Sequence, residues 1–195
     1  MRSPVFSSAI APNFVVYLRD LIDFAELRYR EIYAKSYADT ELCLFEKYSR
    51  RDACRLLNWP HDDSATIYGY PRRFKQNCCP IFINLEKEEG ISASTMYEDG
   101  FINKSVFSWM TRNRVTLESD EIKAMKKSQA TGLRILLFVK KKNAEGSDFY
   151  FLGQMDPIDY KQGLIGSKSK DLDIVNVKFA LRNQVRDDIY DYLTN

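Results

Sequence analysis

The chain has 195 residues, 45% of them hydrophobic, with 29 Lys and Arg against 27 Asp and Glu and a net charge of +2. Its 12 Phe, 12 Tyr and 2 Trp exclude a disordered chain, and the near-balanced charge excludes a surface that grips nucleic acid indiscriminately. No apolar run approaches the roughly 18 residues of a membrane span, and Met1–Ala11 makes a poor signal peptide.

Four cysteines without a C-x-x-C pair, beside a single histidine, predict reduced thiols, no structural zinc and a cytoplasmic protein.

Residues 13–34 carry the clearest helical period. Phe14, Leu18, Leu21, Ala25, Tyr29 and Ile32 line one face, and Arg19–Asp23 and Glu26–Arg30 are i,i+4 pairs on the other. Val15, Val16, Ile22, Phe24 and Leu27 widen the apolar surface, so this helix calls for contacts on more than one side. Residues 39–48 suit a second helix, and Ser49 opens a capping pattern, Ser-Arg-Arg-Asp, over a short helix at 50–57. Helix, break, helix is also the text of a helix-turn-helix, although a helical layer on a sheet is the simpler reading.

From residue 61 the period changes to strands. Residues 66–70 are short and strand-like, 71–77 form a basic loop with Arg72, Arg73 and Lys75, and 79–85 read as a buried strand with Pro80 at its start. Strands are further expected at 95–97 and 105–110, around the turn Glu98-Asp99-Gly100. Ser119 caps a helix to Lys127, with acids in its first turn and lysines in its last. Residues 134–140 and 148–153 form a hairpin about the Asn143–Gly146 turn, 156–170 a loop, 173–181 a half-buried strand and 184–193 a closing helix. The order predicts an α+β fold. An N-terminal helical layer (1–60) lies on a mainly antiparallel curved sheet or partly closed barrel (61–195).

Catalytic constellations are sparse. A Ser/His/Asp or Cys/His mechanism must use His61, which sits in a polar loop with nothing to position it. Asp99, Glu121 and Lys123 match the spacing of a metal-dependent PD-(D/E)xK nuclease, but Glu121 opens a helix rather than a strand. No phosphate-binding glycine motif occurs. No cofactor, no metal and no enzymatic activity of the chain alone are expected.

The segment 97–114 interleaves Tyr97, Phe101, Phe107 and Trp109 with Lys104, Arg112 and Arg114. Aromatic side chains at strand spacing are core in the simple reading, but guanidinium groups at the strand end suit phosphates and base edges. Arg72, Arg73, Lys104, Arg112, Arg114, Lys140 and Lys141 are the candidate nucleic-acid contacts. Tyr97, Asp99 and Trp109 are candidates for a base pocket, where a flipped base needs a stacking partner and hydrogen-bonding groups.

Here the text resembles a family. Tyr48–Asp52 with Leu56–Trp59, Tyr68–Tyr70, Cys79–Phe82, Tyr97–Asp99, Phe107–Trp109 with Arg112, Leu137–Lys141, Asp148–Gly153 and Tyr190–Leu193 recur in order in a domain at the C-terminus of bacterial superfamily-II (DEAD/DEAH-type) helicases, often fused to phospholipase-D-like nucleases. The Leu-Gly ending of 148–153 is also similar to PUA- and SRA-type pseudobarrels, which bind RNA or modified DNA bases. The resemblance implies a DNA-binding module of a helicase-associated restriction or phage-defence protein, with DNA and the helicase and nuclease domains as partners. The alternatives are a scaffold that docks a helicase motor through the N-terminal helices and, behind it, the metal nuclease.

Overall fold

The computed structural model describes residues 12–33, 36–86, 99–166 and 171–195. Helix α1 spans Pro12–Tyr33, the short strand β1 Lys47–Tyr48 and helix α2 Arg50–Leu56. Strands β2 (Cys78–Asn84), β3 (Gly100–Asn103) and β4 (Val106–Met110) precede helices α3 (Asp120–Lys126) and α4 (Ser128–Thr131). Strands β5 (Arg134–Lys140), β6 (Phe149–Ile165) and β7 (Leu172–Leu181) and helix α5 (Asp187–Thr194) complete the chain. Among the described residues no helix is long and apolar enough to cross a membrane.

The strands form one curled half-barrel sheet in the order β2-β5-β6-β7-β4-β3, with β1 added antiparallel to β6. The expected α+β class and curved sheet are present, and β5 and β6 are adjacent antiparallel strands. One pair departs from the antiparallel expectation. β2 runs parallel to β5, with Cys79 opposite Ile135 and Phe82 opposite Phe138. Its residues are buried on both faces, as strands in parallel pairs usually are.

The curl has two apolar faces. On one, Ile81, Trp109, Leu137, Val177 and Phe179 pack with Ile122 and Met125 of α3 and Ile189 and Leu193 of α5. On the other, Phe82, Phe138, Phe149 and Phe151 pack under α2 through Ala53 and Cys54, with Leu42, Leu57 and Trp59. Residues 42–60 therefore share a core with the sheet. The capping of α2 is as read: the Asp52 N–H donates to Ser49 Oγ at 3.1 Å, and that hydroxyl donates to the Asp52 carboxylate at 2.7 Å.

Four local expectations fail for physical reasons. Residues 39–48 are not a helix, which also removes the helix-turn-helix. The Thr40 hydroxyl bonds to the Tyr37 carbonyl, the backbone turns at Phe45 (φ 70°), and the Phe45 N–H donates to Phe151 O of β6 at 2.8 Å. Residues 66–70 are not a strand; a 3₁₀ turn at Ser64–Thr66 leads into a tight loop about Gly69, whose φ is +83°. The loop expected at 156–170 is strand as far as Ile165, paired throughout with β7. A bulge between Pro157 and Asp159 accommodates the proline, which has no N–H for the ladder. Ser119 stands at the N-cap of α3, but its side chain accepts from the Thr116 N–H instead of capping. The strand expected at 95–97 lies outside the described residues.

Candidate nucleic-acid interface

The loop after the 3₁₀ turn runs along the free edge of β2, where the Phe82 N–H donates to Gly69 O at 2.7 Å. The left-handed Gly69 lets the chain reverse there, leaving Tyr70 buried and Tyr68 86% exposed. Across the curl, the period-2 pattern of β4 turns Phe107 and Trp109 inward. Tyr70 and Trp109 then meet edge to face, their centroids 4.9 Å apart.

Between β2 and β4, near the two ends of the sheet order, lies a cavity of about 380 Å³. Aromatic side chains Tyr68, Tyr70, Phe82 and Trp109 line it together with Asn84, Asp99, Arg72 and Arg112. Its volume falls within the range of small-molecule sites, about 300–1,000 Å³. Asn84 lines it too; its amide oxygen is shut off from solvent and has no hydrogen-bond partner among the described residues. Asp99 holds the strand beside it, accepting from the Met110 N–H at 2.8 Å.

The cavity wall is braced by one carboxylate. Glu121, at the start of α3, accepts from the Tyr70 hydroxyl at 2.6 Å and is ion-paired with Arg112. The Arg112 guanidinium lies over the Tyr70 ring, 4.7 Å from its centroid. Burial, reinforced by the Glu121 charge, raises the Tyr70 hydroxyl far above the ordinary tyrosine range, so it stays a proton donor.

Of the residues singled out from the sequence, Arg72, Asp99, Trp109 and Arg112 come together here. Arg73 is exposed in the same loop as Arg72 but does not line the cavity. Arg114 is exposed in a left-handed turn (φ 65°), its N–H held by Asp173 O at 2.7 Å. Lys104 pairs with Asp187 at 2.9 Å, beside the Tyr190 ring. Lys140, a candidate contact, is buried and donates to Gly146 O at 2.9 Å, lying over the Phe149 ring. Lys141 pairs with Glu86 at 3.7 Å. Tyr97 lies outside the described residues.

The nuclease constellation is not assembled. Glu121 is engaged by Tyr70 and Arg112, Lys123 pairs with Glu118 at 3.1 Å, and no cluster able to hold a metal occurs among the described residues. A larger hollow of about 660 Å³ beside α2 includes His61 and Trp59. Its charges are satisfied internally, Arg51 by Asp62 at 3.1 Å and Arg55 by Asp52 at 3.3 Å.

Sequence reasoning missed Tyr68, Tyr70 and Asn84 as cavity residues and Glu121 as their brace. The Tyr-Gly-Tyr triplet carried a usable signal, since a glycine between two aromatic residues suits a tight turn that splays them apart.

These features define an α+β half-barrel with an aromatic cavity between the ends of its sheet. The chain belongs to the family described as Domain of unknown function (DUF3427), which matches residues 42–193. No curated protein matches it. Among solved structures it is similar to the DNA modification-dependent restriction endonuclease AspBHI (TM-score 0.46, 14% identity, 62% of this chain and 64% of that one). It is similar also to the sulfur-binding and SRA domains of ScoMcrA complexed with phosphorothioated DNA (0.45, 12%, 78% and 45%). A third is the SRA domain of SUVH5 with fully methylated CG DNA (0.45, 15%, 73% and 91%). The chain thus spans less than two thirds of the AspBHI and ScoMcrA chains.

Proposed function

We propose that this chain is a DNA-binding module that takes a flipped, modified base into the cavity between β2 and β4. The observation that carries the reading is the cavity's composition. Three aromatic side chains, Tyr68, Tyr70 and Trp109, stand around two groups suited to a base edge, the Asn84 amide and the Asp99 carboxylate. A nucleobase offers a flat π-face and an edge of donors and acceptors, and this wall complements both. Arg72 is set for a flanking phosphate, and Arg112 is held against Tyr70 and Glu121 as a shaped part of the wall.

The net charge of +2 fits this reading. Few phosphates would be neutralised, so plain duplex should bind weakly, about 10⁻⁴–10⁻⁶ M at physiological salt. The preference must come from the base. The reading for this chain rests on its own cavity.

The family resemblance supports placing the module beside helicase or nuclease domains of a restriction or phage-defence protein in the cytoplasm, where it would direct them to marked DNA. The scaffold reading has one observation in its favour, the exposed apolar surface of α1.

Fluorescence anisotropy with plain, methylated and hydroxymethylated duplexes tests the proposal. One modified duplex is expected to bind at least tenfold tighter than plain DNA, and Asn84→Ala should narrow that gap while leaving the salt dependence alone. Equal binding of all duplexes by the parent, or an unchanged gap in Asn84→Ala, overturns base reading in this cavity.

A further inference from the structure

Helix α1 is the one described element whose apolar side chains find no core. None of its described side chains, Phe14 to Glu31, is buried. Ile22 and Tyr29 are 49% and 53% exposed, Val15 and Leu18 are half-buried, and Leu21 beside them is 63% exposed. Twenty-two residues of unsupported helix are marginal in water, because most helical stability in proteins comes from packing an apolar face. An apolar patch of this extent marks an interaction surface.

Its pattern specifies the partner. Val15, Leu18, Ile22, Ala25 and Tyr29 alternate at spacings of three and four, the seam of a two-stranded coiled coil. A groove lies over Ala25, walled by Ile22, Tyr29, Glu26 and Arg30. We propose that α1 pairs antiparallel with α1 of a second copy of this chain.

With Ile22 of one copy level with Ala25 of the other, a large side chain fills each notch, twice by symmetry. Leu18 then meets the second copy's Tyr29. On one flank of the seam stand Arg19 and Glu26, about one turn on either side of the two-fold axis. Antiparallel pairing brings Arg19 of each copy to Glu26 of the other. Among the described residues Arg19 has no ion pair, and Glu26 has only Arg30, at 3.3 Å across an exposed surface. Parallel pairing would instead stack Ala25 on Ala25 and leave Arg19 facing Phe14 and Glu26 facing Leu21, with no charge matched. The antiparallel self-pair fits both packing and charge. In this register residue 14 is level with residue 33, so the contact strip is about 30 Å long and no more than about 10–12 Å across; that is below the usual size of a specific interface, so weak association, in the upper micromolar range, is expected.

Light scattering on the full chain after size exclusion, from about 1 to 200 µM, tests the pairing. The parent should pass from 22.8 kDa to twice that mass across the range. Arg19→Glu and Glu26→Arg should each weaken association about tenfold, because each replaces two attractions by two repulsions. The double variant, with both charges exchanged, should restore parental association. Ile22→Asp should stay monomeric with the melting temperature of the sheet domain unchanged. A parent that is monomeric at 200 µM overturns the proposal, whatever else α1 binds. A double variant no better than the single ones overturns the antiparallel register.

Discussion

Replacing Glu121 by Ala is expected to loosen the cavity wall from behind. The carboxylate has 10% of its side chain exposed and serves two donors, the Tyr70 hydroxyl at 2.6 Å and the Arg112 guanidinium. Its loss strands a buried phenol and a side chain that is 29% exposed. A hydrogen bond to a charged acceptor contributes about 1.5–3 kcal/mol, and breaking a fully buried ion pair costs about 3–5 kcal/mol. Arg112 retains some water, which discounts the second figure. A net loss of about 2–4 kcal/mol follows. At roughly 2–4 °C per kcal/mol for a domain of this size, the melting temperature should fall on the order of 10 °C. Glu121→Gln keeps an acceptor for Tyr70 and should lose less than half as much. Differential scanning calorimetry separates the two variants. The reasoning is refuted if both variants melt with the parent. It is refuted equally if the parent cuts DNA with magnesium or manganese and Glu121→Ala abolishes the cutting at unchanged stability, since Glu121 would then be a metal ligand.

Tyr68→Ala should leave the melting temperature within about 1 °C, because the side chain is 86% exposed, yet weaken binding of the preferred DNA by about 1–3 kcal/mol if Tyr68 stacks on a base; anisotropy and calorimetry on the same sample decide it. Trp109→Ala should cost about 3–5 kcal/mol and unfold much of the module, as a circular dichroism melt would record. Arg72→Ala should flatten the log–log salt slope of DNA binding by about 1, an anisotropy salt titration that would show no change if Arg72 touches no phosphate. Burial raises the thiols of Cys54 to about 11 and Cys78 to about 12, from 9.0. Because the unfolded chain releases these protons first, their contribution to stability is complete below pH 9 and declines as pH rises from there towards 11–12. Urea midpoints at pH 8 and pH 10 should differ in that sense in the parent and differ less in Cys54→Ala.

How much of the fold was legible depended on whether a segment's own residues decide its structure. The β5–β6 hairpin was readable because two strong β runs flank a short turn with Gly146, and Ser49 was readable because its partner is three residues away. Segments decided by distant partners were not. Residues 39–48 carry helix formers, yet the backbone of Phe45 and Glu46 bonds to Phe151, more than 100 residues on. The second half of β6 holds Asp156, Pro157 and Gly163, each a breaker in isolation. It remains strand because β7 supplies a ladder and a bulge takes up the proline. The close approach at Gly163, where an added Cβ would sit 2.8 Å from Ile174, favours glycine for packing against β7 rather than for a turn.

The cavity shows the same division at the scale of a site. Asp99, Trp109 and Arg112 were found because they lie within 14 residues of one another, in a segment that mixes aromatic and basic side chains. Tyr68, Tyr70, Phe82 and Asn84 lie on a different stretch, and nothing in either stretch refers to the other. What brings them together is the parallel pairing of β2 with β5, which places β2 at one end of the sheet, and the curl that turns that end towards β4. The buried Asn84 amide oxygen is therefore a consequence of topology. An asparagine closing a hydrophobic strand reads as an ordinary strand end until the opposite wall is in place. Once it is, a buried amide oxygen with no partner among the described residues costs stability that an apolar residue would have avoided, in the same cavity wall as Trp109 and Asp99. A turn of the Asn84 side chain that brought this oxygen to the cavity would let a bound ligand able to donate a hydrogen bond recover that cost, on a wall that also carries three partly or fully buried aromatic rings and the Asp99 carboxylate.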